Sequence, residues 1–236
     1  MILLQPPKFD DLSPCPYLPE KEKQYEYFFA HELNEEEAGV LLAQGWRKFG
    51  IHFFRPSCPA CSQCIPVRVL TKEFEPSRSQ RRNLKRNAGI EVKFGPLSFV
   101  PKIYDLYAAH SAERFNQKAD LENFLVGFYT PSCPSLQSEY FLDGELIGAG
   151  FLDVGNNCLS SIYFFFDPAY TKLGIGTFSV LKEIEYASSL GLSYYYLGYF
   201  VPGCSRMGYK DDFRPREHYS WDTHFWKRAA SRKEKS

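Results

Sequence analysis

The stretch Glu139–Phe200, EYFLDGELIGAGFLDVGNNCLSSIYFFFDPAYTKLGIGTFSVLKEIEYASSLGLSYYYLGYF, decides the fold. It opens with a hairpin around Asp143-Gly144, a dipeptide that accepts the two positive φ angles of a type I′ turn. After Gly155-Asn156-Asn157 comes a very apolar strand, LSSIYFFFD, whose aromatic residues suit a buried sheet. Gly174-Ile175-Gly176 then starts an amphipathic helix, TFSVLKEIEYASSL, and Gly191 closes it. A last strand, YYYLGYF, follows.

Upstream, Ile103, Leu106, Tyr107 and His110 share one helical face, and residues 119–129 form a second helix. Two helices, three antiparallel strands, a glycine-started helix and a further strand make an α/β (α+β) order. It resembles the acetyltransferase-like (GNAT) fold. Gly95-Pro96 and Pro101 punctuate a boundary near residue 95. The expected division is a smaller Cys-containing N-terminal domain at 1–94, an acetyltransferase-like domain at 95–226, and a basic tail at 227–236. In the first of these, Asn34 and Glu37 read as a capping box, with Gly45 just past the end of the helix. WRKFGIHFF reads as two short strands about Phe49-Gly50, and IPVRVL (65–70) as another.

The 236 residues suffice for one large or two modest cores. With 44% hydrophobic and 24% charged residues, the composition is that of a globular protein. Net charge is zero, 28 cations against 28 acids, so any polyanion must meet a local patch and not a global field. No apolar run approaches the ~20 residues of a membrane span, and the start, MILLQPPKFDD, lacks the basic, apolar layout of a secretory signal. A cytoplasmic protein is expected. Seven cysteines, several close together, then argue for thiols or a metal site over disulfides.

Chemistry concentrates in four places. Tyr194–Pro215, YYYLGYFVPGCSRMGYKDDFRP, carries a buried-type strand into a loop holding Arg206, Tyr209, Lys210 and Arg214. The helix Ser77–Asn87 places Arg78, Arg81, Arg82, Lys85 and Arg86 at three- and four-residue spacing without one acid. Like charges so spaced repel, and phosphate backbone relieves them. Cys58-Pro-Ala-Cys61-Ser-Gln-Cys64, with Cys15 upstream, offers a thiolate set for zinc or an iron–sulfur cluster; reduced structural thiols are the alternative. Cys133, Cys158 and Cys204 are isolated and expected to be buried. The start at Gly174 and Gly176 exposes helix N–H groups, but Thr171 stands where a coenzyme-A loop carries Gln or Arg.

Taken in order, further blocks carry a resemblance over nearly the whole chain. They are Cys15-Pro-Tyr-Leu-Pro, Gly45-Trp46-Arg47, Arg55-Pro-x-Cys58 through Arg68, Phe74-x-Pro-Ser-Arg78-Ser-Gln-Arg81-Arg82, Asp167-Pro168, and Tyr196 through Pro215. They resemble the aminoacyl-tRNA–protein transferases: bacterial aspartate/glutamate leucyltransferases and the related eukaryotic arginyl-tRNA–protein transferases. Eukaryotic relatives carry a second cysteine where this chain has Leu18.

The resemblance implies an enzyme that transfers leucine from aminoacyl-tRNA to the α-amine of proteins beginning with Asp or Glu, marking them for N-degron degradation. No cofactor is needed for the transfer. Arginyl transfer, coenzyme-A-dependent acetylation, and a non-catalytic zinc-knuckle nucleic-acid-binding module are the competing readings. On the favoured one, Arg78, Arg81, Arg82, Lys85 and Arg86 hold tRNA phosphate or the acceptor carboxylate. Arg206, Lys210 and Arg214 supply charge near the reacting end. Tyr209 donates to the oxyanion, and Asp153 or Asp167 takes the amine proton. Tyr199 lines an aromatic pocket with Tyr196 and Tyr163–Phe166, and the Gly174–Gly176 start receives the acylated tRNA end.

Overall fold

The computed structural model describes residues 1–230. In chain order, β1 (Ile2–Phe9), β2 (Ser13–Pro14), β3 (Glu22–Lys23) and β4 (Tyr25–His31) precede α1 (Glu35–Ala43). Next come β5 (Arg47–Phe49), β6 (His52–Pro56), β7 (Ile65–Leu70), α2 (Arg78–Arg86) and β8 (Ile90–Gly95). The second half holds α3 (Pro101–Phe115), α4 (Leu121–Phe128), β9 (Ser135–Leu142), β10 (Glu145–Gly155) and β11 (Cys158–Phe166). It ends with α5 (Ile175–Ser189), β12 (Tyr194–Phe200), a single turn α6 (Ser205–Gly208), β13 (Arg216–Tyr219) and β14 (Trp226–Arg228).

The expected order is therefore present from α3 to β12. The β9–β10 turn has φ of 51° at Asp143 and 82° at Gly144, the type I′ geometry that the dipeptide encodes. Asn34 and Glu37 form the expected capping box on α1, and Ser77 with Gln80 forms one on α2. β1 to β4, β8, β13 and β14 have no counterpart in the sequence reading. β1 carries Pro6 and Pro7 and exposes nearly every residue, so it offers no alternation to detect.

Eight strands form one sheet in the order β14-β13-β7-β12-β11-β10-β9-β8, and β1-β4-β6-β5 form a second. The large sheet draws on both halves of the chain: β7 lies between β12 and β13, and β8 pairs with β9 at the far edge. Of the stretch expected as a basic tail, 227 and 228 lie in β14, and 231–236 lie outside the described residues.

One face of the large sheet is covered by α5, where Val180, Leu181 and Ile184 meet Leu159, Tyr195 and Leu197. The other carries α3 and α4, where Ile103, Leu106 and Phe124 meet Ala149, Phe151 and Phe165. Fully burying one such side chain contributes about 1.5–3 kcal/mol, so these two layers dominate stability. A separate core of Phe28, Trp46 and Phe53 lies under the small sheet.

β11 and β12 are parallel neighbours, yet they pair only from Cys158–Ser160 to Tyr194–Tyr196. Beyond Ser160 the strands diverge. β12 breaks register against β7 between Tyr196 and Gly198, where Gly198 adopts a left-handed φ of 85°. Arg47 and Lys210 both approach Gly198 at this split.

Candidate active site

Two cations meet in the split. Arg47 on β5 of the small sheet reaches across it and donates from Nη1 to Ser160 Oγ and from Nη2 to the Ser161 carbonyl. Lys210, in the 3-10 turn after α6, brings its amine to the same place. A Cβ on Gly198 would stand 3.2 Å from Lys210 Nζ and 3.7 Å from Arg47 Nε. A side chain there would crowd the lysine amine.

The stem of Lys210 reaches the surface while its amine end is enclosed. No carboxylate lies within salt-bridge distance of Lys210 among the described residues. Burial and then the Arg47 charge lower its pKa to about 7, with the Cys64 thiol a weaker opposing influence. An amine of this kind is partly free base at neutral pH and competent to take a proton. Tyr209 precedes it. Its ring is 43% exposed, but burial of the hydroxyl end, and then the Glu183 charge, raise its pKa and keep it a donor.

The other expected site residues fall into three groups. Arg206 is exposed and donates to the Pro16 carbonyl at 3.4 Å, and Arg214 is half-buried with its Nε lacking an acceptor. Both flank Lys210 in sequence. A second group is held elsewhere. Asp153 is 4% exposed, ion-paired to Lys48 at 2.9 Å, and accepts from Ser135 Oγ at 3.1 Å. Burial pushes the Lys48 amine down, but Asp153 and Cys133 outweigh it and leave the pKa raised. Asp167 accepts from the Ala169 N–H at 2.9 Å and caps the 3-10 turn before α5. Tyr199 is buried, its hydroxyl donating to the Gly45 carbonyl at 2.8 Å. Each of these three side chains has a structural partner.

The third group is α2. Arg78, Arg81, Arg82, Lys85 and Arg86 are all exposed. The inner side of the helix is polar and holds the site's loops. Asn83 Nδ2 donates to the Gly174 carbonyl at 3.0 Å, Asn87 Nδ2 to Leu173 at 3.0 Å, and Gln80 Nε2 to Asp212 at 3.4 Å. The basic face thus abuts both the start of α5 and the turn carrying Lys210. Gly174 has a left-handed φ of 68°, and a Cβ there would meet Asn83 Nδ2 at 2.8 Å, while Gly176 faces open space.

Cys15, Cys58, Cys61 and Cys64 border one recess with Tyr17 and Tyr25. Burial, then neighbouring thiols, push Cys64 up to about 12. Among the described residues, however, no three His, Cys, Asp or Glu side chains are gathered as a metal set. Soft donors are present without the convergence a bound metal imposes. Cys133, Cys158 and Cys204 are buried, as expected. No described helix is long and apolar enough to cross a membrane.

A family profile described as "Arginine-tRNA-protein transferase, C terminus" matches residues 102–220, and one described as "Arginine-tRNA-protein transferase, N terminus" matches residues 13–82. The aspartate/glutamate leucyltransferase of Marinobacter nauticus is 37% identical over 210 residues, 86% of this chain and 88% of its own. That of Chromohalobacter salexigens is 35% identical over 225 residues, 91% of this chain and 89% of its own. Among solved structures, L-PGS from Bacillus licheniformis is 14% identical with a TM-score of 0.46, covering 76% of this chain and 55% of that one.

Proposed function

The chain belongs to the aminoacyl-tRNA–protein transferase family, and from that membership we propose that it moves leucine from leucyl-tRNA to the α-amine of proteins beginning with Asp or Glu. The name shared by its relatives supports the donor and the acidic acceptors alike. The new N-terminal leucine marks the acceptor for degradation, a cytoplasmic role.

The observation that carries the chemistry is the Lys210 amine, unpaired beside Arg47 in the split and neutral in part near pH 7. The aminoacyl ester is already activated, and the acceptor α-amine, with a pKa of ~7.7–8.0, is partly free base. It attacks the ester carbonyl; the C–N bond forms, and the C–O bond to the terminal ribose breaks. Lys210 takes the proton that the amine sheds and passes it to the departing ribose oxygen. Tyr209 donates to the oxyanion. No covalent intermediate on the enzyme is needed, because positioning supplies most of the acceleration.

Arg214, with its unpartnered Nε, grips the acidic side chain of the acceptor. The exposed cations of α2 follow the phosphates of the tRNA acceptor end toward the split. A soft metal at Cys15, Cys58, Cys61 and Cys64, zinc or an iron–sulfur cluster, is supported only by the shared recess, and no step of the transfer runs through it.

The test is label transfer from Leu-tRNA to peptides beginning with Asp, Glu, Ala or Lys. Label on the Asp and Glu peptides alone is the expected result. The profile's own description favours one second reading, arginyl transfer by the same machinery, and Arg-tRNA in a parallel reaction separates the two.

A further inference from the structure

One face of the small sheet is covered by α1, where Phe28, Ala30 and Phe53 close with Trp46, Ala38 and Leu41 into a core. Alternate residues of the same strands point the other way. On that second face the strand register lays out two rows. Lys8, Tyr27, Phe54 and Arg47 form one, and Gln5, Phe29, His52 and Phe49 form the next. Tyr25, two residues before Tyr27, meets Phe54 edge-on at 5.5 Å. Among the described residues these aromatic rings join none of the buried cores. Phe49 is 39% exposed, and Tyr27, Phe29, His52 and Phe54 are half-buried. The helix α4 borders the patch where Phe128 meets Phe49.

The rings form a series. Phe54 lies 5.9 Å and 19° from Phe49, and 5.7 Å and 29° from His52; His52 lies 5.1 Å and 31° from Phe29. Neighbours so nearly parallel let a further planar ring continue the series at its open members. Cations mark the margin. Lys8 Nζ stands 5.4 Å over Tyr27, and Lys23 Nζ, shared with Asp10 at 3.9 Å, stands 4.8 Å over Tyr25. No carboxylate stands in either row. The face also runs into the split. Arg47 belongs to it, opposite Phe54, and carries its guanidinium to Ser160 and to the neighbourhood of the Lys210 amine. The basic helix α2 reaches the same split through Gln80 and the Lys210 turn.

The chemistry of the face selects its occupant. Rings in series, amines at the margin and no acid suit unpaired nucleotides, because every base offers a π face and the phosphates meet the cations. A polypeptide docks by a bare strand edge or an apolar groove and draws little from parallel rings. We infer that the aromatic face of the small sheet, Tyr27, Phe29, His52, Phe49 and Phe54, stacks the unpaired nucleotides at the 3′ end of the tRNA and leads the terminal ester to Arg47 and Lys210. The inference rests on the aminoacyl-tRNA donor proposed above and not on which amino acid it carries. It divides the labour: the cations of α2 hold phosphates, and the small sheet holds bases.

The test measures the Kd of whole tRNA and of the same tRNA trimmed of its last three nucleotides, on wild type and on Phe54→Leu, which stays apolar and loses the ring. One stacked base corresponds to about 5–150-fold in affinity. Wild-type enzyme should bind the trimmed tRNA at least about 5-fold more weakly. Phe54→Leu should bind whole tRNA more weakly by a similar factor, and its further loss on trimming should shrink, because both changes remove one contact. Phe54→Tyr, with the ring kept, should retain the trimming loss. Wild-type affinity for whole tRNA in Phe54→Leu overturns the inference, as does an undiminished trimming loss. So does a Phe54→Leu enzyme whose KM for an Asp peptide rises at unchanged tRNA affinity, which gives the face to the acceptor polypeptide. If Phe54→Leu does not fold, Phe49→Leu at the exposed position replaces it with the same expectations. A wild type that transfers leucine but binds both tRNAs alike sinks this inference alone. One that shows the trimming loss and its dependence on Phe54, yet transfers no leucine, sinks the leucyl reading alone.

Discussion

Lys210 and Arg47 come from opposite ends of the chain and place both their cationic groups over Gly198, 3.2 and 3.7 Å from where its Cβ would be. Burial first and then the Arg47 charge, with no acid paired to Lys210 among the described residues, hold the lysine's pKa down. An arginine of the small sheet thus meets a lysine of the 3-10 turn after α6.

The first expectation concerns Lys210 itself. Lys210→Arg keeps the charge and removes the base. Single-turnover leucyl transfer should fall about 10²–10⁴-fold, with tRNA affinity little changed. Stability carries a matching signature. The folded lysine pKa is depressed to about 7 from 10.5, so the unfolded chain binds more protons between those values and stability rises with pH there. Below about pH 7 the cost is full. Lys210→Met should accordingly raise the Tm relative to wild type most at and below neutral pH, and a thermal melt series in pH reads it.

Arg47 acts through Lys210. Its charge lowers the amine's pKa, so Arg47→Gln should move the ascending limb of the pH–rate profile to higher pH and let activity recover in alkaline buffer. A merely structural role would lower the rate equally at every pH.

Gly198→Ala should lower transfer. A Cβ strains a φ of 85° and crowds Lys210 Nζ at 3.2 Å, so the amine must shift. Transfer kinetics, beside a circular-dichroism check of folding, decide the point.

The sequence shows α5, the β9–β10 hairpin and the basic helix because each carries a local signature: a glycine start, an Asp-Gly turn, cations at three- and four-residue spacing. Lys210 and Tyr209 stand in one polar run and are legible for the same reason. Arg47 lies within a block carrying the family resemblance, but its partner Lys210 is far along the chain, and nothing local marks their meeting. Glu183 reads as one charge on an amphipathic helix until α5 turns it inward. Asp153 shows the converse. A carboxylate at a strand end looks available, whereas Lys48, adjacent to Arg47, already holds it.

That pair gives a further expectation. Removing Asp153 leaves Lys48 buried and unpaired, so Asp153→Ala should cost about 3–5 kcal/mol in denaturant unfolding. Lys48→Met combined with Asp153→Leu should recover much of it. If Asp153 were the proton acceptor instead, the double variant would be stable and inactive.

On the outer face, replacing Arg81, Arg82 and Lys85 together by Ala should weaken tRNA binding and flatten its salt dependence by about 0.7–0.9 log units per lost phosphate contact. The catalytic rate at saturating tRNA should hold. Binding measured across a salt series, beside single-turnover rates, separates the two.

The most direct test of the account is the pH dependence of single-turnover leucyl transfer to an Asp-starting peptide, measured on wild type and Lys210→Arg with the peptide saturating. The account predicts a wild-type rate that climbs with pH through about 7 and a variant slow at every pH. A Lys210→Arg enzyme with the wild-type rate and the wild-type profile would contradict it.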